Sequence, residues 1–445
     1  MKQLNQDEAK RICDRVMGFS KADECRVSIN GNRTGNIRYA QNSVSTAGLN
    51  ENTQLTVSVA FGKRQGTASV NEFDDRSLEK AVRRAEDVAR LAPENPEFTA
   101  APGKQEFKPS ITFSQNSAAI DPDFRAEVAS LSIAAAKKSK LQATGYFVDS
   151  TGFETIANSN GMFGHQAHTN VAFTCTVRTE DGRGSGWVTR SANDVRRFDA
   201  REASEVAIEK ALRSVDAKAL EPGRYTVILE PAATSDLMRF MFNAFDARRA
   251  DEGRSFLSKK GGGNRMGEKL FDEQVNIWTD PWDSMAPVRP WDNASQLARE
   301  KAHLIKDGKV SALEYSRFWA DKQGKQAHGR HGNVIMAGGG KSLEELIAST
   351  KKGVVVTRTW YIRMVDPQSV LLTGLTRDGT FYVENGKIKH PIKNFRFNES
   401  PVSMLNNIEE LGKPVVVGGE ETNLAMVIPP MKVREFNFTS LSDAV

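Results

Sequence analysis

Apolar and polar positions along this chain repeat with two periods. Residues 6 to 17 place Ala9, Ile12, Cys13, Val16 and Met17 on one helical stripe. "DDRSLEKAVRRAEDVARLAP" does the same with Leu78, Ala81, Val82, Ala85, Val88 and Ala89, with acids at its entry and Pro93 beyond its exit. Between these helices, from about 24 to 72, the period falls to two. "LTVSVAFGKRQGTASV" alternates around a Gly-containing turn, as half-buried antiparallel strands do.

Pro93, Pro96, Pro102 and Pro109 then forbid any regular element, so 92 to 110 is read as an extended surface connection. A helix is predicted from Asp121, with Pro122 at its first position, to about Lys140. Strands fill roughly 143 to 190, and "REASEVAIEKALRSV" supplies another helix. The break "DAKALEPGRY" divides a domain over 1–220 from one over 221–445. The second opens with a strand, "RYTVILE", and a helix from about Thr234 to Arg249, after which strands dominate. Asp307-Gly308, Asp378-Gly379 and Asn385-Gly386 each lie between alternating runs and supply the positive φ angles of tight hairpins. Ser342 and Glu345 form a capping box ahead of a short helix. The fold class expected is α+β: an N-terminal mixed domain with antiparallel hairpins, then an antiparallel sheet or open barrel with few helices.

Composition changes this picture little. The chain has 445 residues, 39% of them hydrophobic and 26% charged, which suits two or three globular domains. No run reaches the roughly 18 apolar residues of a membrane span, and the first residues have no signal-peptide core, so a cytoplasmic protein without membrane association is expected. The 61 basic and 56 acidic residues leave a net charge of +5, spread too thinly to argue for nucleic-acid binding. The run "KKSK" at 137–140 closes a predicted helix, where cations suit the carbonyl end. Cys13, Cys25 and Cys175 have no CxxC spacing and read as buried thiols.

Candidate chemistry is sparse. In "TRTWYIRMV", strand alternation sets Trp360, Ile362 and Met364 against Thr359, Tyr361 and Arg363. If "VLLTGLTRDG" lies alongside, its Thr376 and Arg377 join Arg358, Tyr361 and Arg363 on a polar face suited to an extended peptide or a partner chain. A solvated sheet face with ordinary cross-strand pairs explains the same residues. His165 and His168 form HxxH, as do His328 and His331; the first pair sits in a strand, where i and i+3 face opposite sides, and the second in a Gly-rich loop without a ligand cluster. "VIMAGGGKS" ends like a phosphate loop, but Ile335 stands where the first glycine belongs, and no apolar strand is predicted just before a suitable turn. "KKGGGNRMGEK" at 259–269 reads as a mobile basic loop.

"VTRTWYIRMVDPQSVLLTGLTRDGTFYVENGKI" resembles the C-terminal signature of the TldD/PmbA family, two-component cytoplasmic metalloproteases once called modulators of DNA gyrase. "IRYAQNSVSTAGLNENTQLTVSV", "NSNGMFGHQAHTN", "GRSFL" and "LIKDGKVSALEYSRFWA" agree with it in the family's order over nearly the whole chain. The resemblance implies an HExxxH motif on the helix after the first strand of the second domain, and a late cysteine, in the zinc-bearing subunit. Here that helix reads "SDLMRFMFNAFDARRADEGRSFL", no histidine occurs from Thr169 through Ala302, and no cysteine follows Cys175. Leu237, Met241 and Phe245 form a packing stripe instead. The resemblance therefore points to the family's subunit without a zinc site: no cofactor in this chain, zinc in a TldD-like partner, unfolded or extended peptides as substrates, and room for a homodimer where the partner is absent. Two other readings stay open: a self-sufficient metallopeptidase with a rearranged site at His328 and His331, and a peptide-binding scaffold without proteolysis.

Overall fold

The computed structural model describes residues 3–418 and 424–442. Six strands, β1 (Glu24–Ala40), β2 (Ser43–Phe61), β3 (Arg64–Val70), β4 (Gln142–Asn158), β5 (Phe163–Arg178) and β6 (Ser185–Ala192), form one antiparallel sheet in the order β3-β2-β1-β4-β5-β6. Strict alternation sends Cys25, Val27, Ile29, Leu55 and Val57 to one face, where the helices Gln6–Phe19 and Asp75–Leu91 cover them. Farther along the same face, Tyr39, Ala143, Phe147, Phe173 and Cys175 meet the helices Pro122–Lys138 and Ala200–Arg213. The opposite face carries no helix and looks toward the C-terminal half.

The helices begin where their caps dictate. Asn5 and Glu8 form a capping box, and Asp74, Asp121 and Asp199 accept from the first free N–H groups of the helices Asp75–Leu91, Pro122–Lys138 and Ala200–Arg213. Lys137 and Lys138 lie in the last turn of their helix, as the dipole favours. Two details of the second helix depart from its periodicity. Val88 is largely exposed, whereas Glu86 is buried and accepts from the N–H of Lys21 at 2.6 Å and from Arg83 at 2.9 Å.

The C-terminal half holds β7 (Gly223–Leu229), β8 (Ile277–Thr279), β9 (Ala302–Lys306), β10 (Lys309–Val310), β11 (Asn333–Met336), β12 (Lys352–Asp366) and β13 (Leu371–Glu384). After these come β14 (Lys387–Pro391), β15 (Phe395–Glu399), β16 (Ile408–Leu411), β17 (Val415–Val417), β18 (Ala425–Ile428) and β19 (Met431–Leu441). The order β12-β7-β19-β15-β13, together with the pairing of β12 to β13, closes a five-stranded barrel where an open one was an alternative. A second sheet, β10-β9-β8-β11-β18-β17, leans on it. β7–β12 and β11–β18 are parallel, so the half is not purely antiparallel. The helix expected to run to Arg249 stops at Phe242; a tight turn and a short helix, Ala247–Asp251, follow, the latter capped by Asp246.

Asp307-Gly308 and Asn385-Gly386 are hairpin turns, with φ of 49° and 72° and of 49° and 73°. Asp378-Gly379 is not. Its positive φ angles sit inside β13, opposite a register shift in β12 between Val356 and Arg358, and kink a continuous strand. A strand, β11, does precede the Gly-rich loop 338–340, contrary to expectation. That loop packs on the carbonyls of Leu411 and Gly412, and Lys341 pairs with Glu410 at 2.7 Å. The proline-rich connection also differs from a surface tether: Ser110 donates to the carbonyl of Pro281 at 2.6 Å, and Gln105 to that of Gln296 at 2.9 Å.

Candidate functional site

The helix-free face of the N-terminal sheet and the loops of the C-terminal half enclose a cleft of about 1020 Å³. Alternation in β4 and β5 aims Tyr146, Val148, Ala172 and His168 into it, while β17, β18 and the loops around Met285 and Gly332 form the other wall. Charges bridge the two walls. Glu154 of β4 pairs with Arg289 and accepts from Asn293 at 3.3 Å. Arg299 is buried, donating from Nε to the carbonyl of Arg330 at 2.8 Å and from Nη1 to that of Arg289 at 3.1 Å.

The histidines are dispersed. His165 faces the helix side, where its ring stacks on Phe153 and its Nδ1 meets the Thr155 hydroxyl at 2.8 Å; His168 faces the cleft. Burial holds both imidazoles below their ordinary range, with Glu154 opposing and Arg289 reinforcing the effect at His168. His331 pairs with Glu314 and receives the edge of Phe242, whereas His328 is half-exposed and lies 3.5 Å from Glu300. Among the described residues no group of three or more His, Cys, Asp and Glu side chains converges as a metal site. Burial also pushes the thiol of Cys13 up to about 12 and those of Cys25 and Cys175 up to about 11, so none is poised as a thiolate. These donors do not fit a zinc ion. Residues 419–423, within the stretch where the resemblance would put a ligand cysteine, lie outside the described residues; their sequence, "GEETN", has none.

The five residues read as a polar strand face divide three ways. β12 and β13 do pair, setting Arg358 opposite Arg377 and Thr359 opposite Thr376. Tyr361, however, has φ of 54° and sits in a bulge, which ends the alternation: Tyr361 and Arg363 stack together in solvent at 4.2 Å, and Met364 joins them outside instead of packing inward. Arg358 is buried, lying 4.5 Å over the Trp187 ring and 3.1 Å from Asp378, and Arg377 covers Trp360 at 4.0 Å. Thr376 lies in the barrel interior, hydrogen-bonded with Thr380 and Asn394. The structure does not bring the five together on one accessible face. The cleft residues Arg289 and Arg299 were missed in the sequence, where no motif or periodicity sets them apart.

Family models match in chain order: PmbA/TldA metallopeptidase domain 1 over 25–89, the central domain over 116–215 and the C-terminal domain over 222–440. The chain belongs to the PmbA/TldD family. A relative from Escherichia coli O157:H7, the metalloprotease PmbA, is 22% identical across 97% of this chain and 98% of its own length. The fold is shared with TldE from Thermococcus kodakarensis, at a TM-score of 0.86 and 17% identity over 97% of this chain and 99% of that one. It is shared too with a protein of Thermotoga maritima described as a modulator of DNA gyrase, at a TM-score of 0.85 and 18% identity over 97% and 100%. Within the PmbA/TldD architecture of this chain, the helix Pro231–Phe242 presents Leu237, Met238, Met241 and Phe242 to the core, all buried.

Proposed function

We propose that this chain is the non-catalytic, TldE-type subunit of a two-component metallopeptidase, walling a cavity in which a zinc-bearing, TldD-like partner cleaves unfolded or extended peptides. The observation that carries the reading is the helix Pro231–Phe242. In the family this helix supplies the HExxxH ligands and general base of the zinc subunit; here its buried side chains are Thr234, Ser235 and the apolar Ala233, Leu237, Met238, Met241 and Phe242, with no imidazole or carboxylate among them. The likeness in fold to TldE supports it, and so does the scatter of the six histidines. The cleft suits an extended chain because its walls mix apolar side chains with a few fixed polar groups.

Purifying the chain alone and co-expressed with a TldD-like subunit tests this. The pair is expected to co-purify, to hold zinc in stoichiometric amount and to cleave an unfolded peptide, whereas the isolated chain holds none and its melting temperature ignores a chelator. Stoichiometric zinc in the isolated chain, with peptidase activity lost in the double variant His328→Ala/His331→Ala, would replace this reading by the self-sufficient enzyme. Failure to associate with any TldD-like subunit would favour the scaffold.

A further inference from the structure

Arg299 is a buried guanidinium without a counter-ion. It is only 9% exposed, and no Asp or Glu forms an ion pair with it among the described residues. Of the five N–H donors an arginine carries, the carbonyls of Arg330 and Arg289 take two and fix the plane of the group, which leaves three. Space for it is provided by the chain: a Cβ added at Gly332 would stand 2.8 Å from the guanidinium carbon. The acids nearby, Asp292, Glu154 and Glu314, act only at longer range, and burial together with Arg289 pushes the guanidinium down to about 10, so it keeps its proton at neutral pH. A charge held away from water and unpaired is costly unless something supplies the opposite sign. Arg299 lines the cleft, where Arg38, Arg289 and Arg299 stand against one carboxylate, Glu154.

We infer that Arg299 is the anchor for a carboxylate of an extended peptide lying in the cleft, received by the donors that the protein leaves free. The planar fork matches a carboxylate through two parallel N–H···O bonds, and burial shields the pair from salt. The inference rests on the peptide-handling role proposed above and adds the group by which the peptide is held. Phosphate shares the charge and the fork geometry, but the apolar walls at Val148, Ala172 and Val416 suit a peptide chain better than a hydrated polyanion.

The test is fluorescence anisotropy on the full chain with three short unstructured labelled peptides: one with a free C-terminal carboxylate and no acidic side chain, its C-terminal amide, and the amide carrying a single internal glutamate. The carboxylate peptide or the glutamate peptide should bind about tenfold more tightly than the plain amide, and which one does names the source of the group. Arg299→Gln should abolish that difference. Gly332→Ala, which leaves the arginine in the sequence but fills its space, should reduce it. Equal binding of the three peptides by the unaltered chain, a preference that survives Arg299→Gln, or competition by inorganic phosphate but not by acetate would overturn the inference. Adding the zinc subunit separates the two proposals. Cleavage that proceeds with no carboxylate preference sinks only the anchor, whereas a preference without association or cleavage sinks the subunit reading.

Discussion

Arg125 and Asp149 form the most deeply buried bidentate pair of the described residues, at 2.5 Å from Nε and 3.0 Å from Nη2, with both side chains at most 5% exposed. The guanidinium occupies the place where a Cβ on Gly35 would lie, so a glycine on β1, a helix and β4 are fitted around one charge. Removing one partner strands the other: Asp149→Asn should cost about 3–5 kcal/mol in denaturant unfolding, while Arg125→Met with Asp149→Leu should cost far less. His165 and His168 give a pH dependence. A base whose folded pKa is depressed binds fewer protons folded than unfolded, so its share of stability is present above its ordinary value of about 6.5 and is lost as pH falls through the folded value. Unfolding free energy should therefore fall as pH drops below about 6.5, and His165→Gln/His168→Gln should flatten that slope. At this scale the sequence was legible where neighbours decide and illegible elsewhere. The opposite facing of the two histidines follows from strand period alone. The positive φ of Tyr361, which cancels the alternation through Met364, has no signal in a residue type that rarely adopts it.

Elements were legible in proportion to their length and caps. The Ser342–Glu345 box is present as read, each side chain bonding the other's backbone N–H, at 3.2 and 2.7 Å, and Ser342→Ala should cost about 1 kcal/mol because its helix has only six residues to share the loss. The hairpin of β1 and β2 was expected, but its consequence at the sheet edge was not. β3 pairs with β2 only from Leu55 onward, so residues 43–54 have β1 on one side and no paired strand on the other among the described residues. That edge carries no lysine, arginine or proline. Its outward amides should exchange with solvent at least about tenfold faster than those of Leu55–Phe61, measurable by mass spectrometry after brief deuteration. Asp378-Gly379 shows where dipeptide reading fails: positive φ serves a hairpin and a bulge alike, and only the partner strand decides between them.

The two halves meet through contacts between residues far apart in sequence, which no periodicity could announce. Lys210 reaches Glu230 at 2.7 Å, and Glu230 also accepts from Thr357 at 3.1 Å. Asp378 is the hub: it accepts from Ser185 of β6 at 2.5 Å, lies 3.1 Å from Arg358 and 3.7 Å from Arg377, and is almost fully buried. Arg358 in turn stacks on Trp187, so one carboxylate ties the barrel to the last strand of the N-terminal sheet. Asp378→Asn isolates the charge, because asparagine also tolerates the φ of 53° found there and keeps an acceptor for Ser185. With the carboxylate gone, the junction loses the charge that Ser185, Arg358 and Arg377 share, at a cost of about 1.5–3 kcal/mol borne there and not within either core. Calorimetry should then show two unfolding transitions, the halves melting separately, where one is expected of the parent. A single transition displaced by less than about 1 kcal/mol would show that the proline-rich connection, through Ser110 and Gln105, holds the halves together without the charge hub.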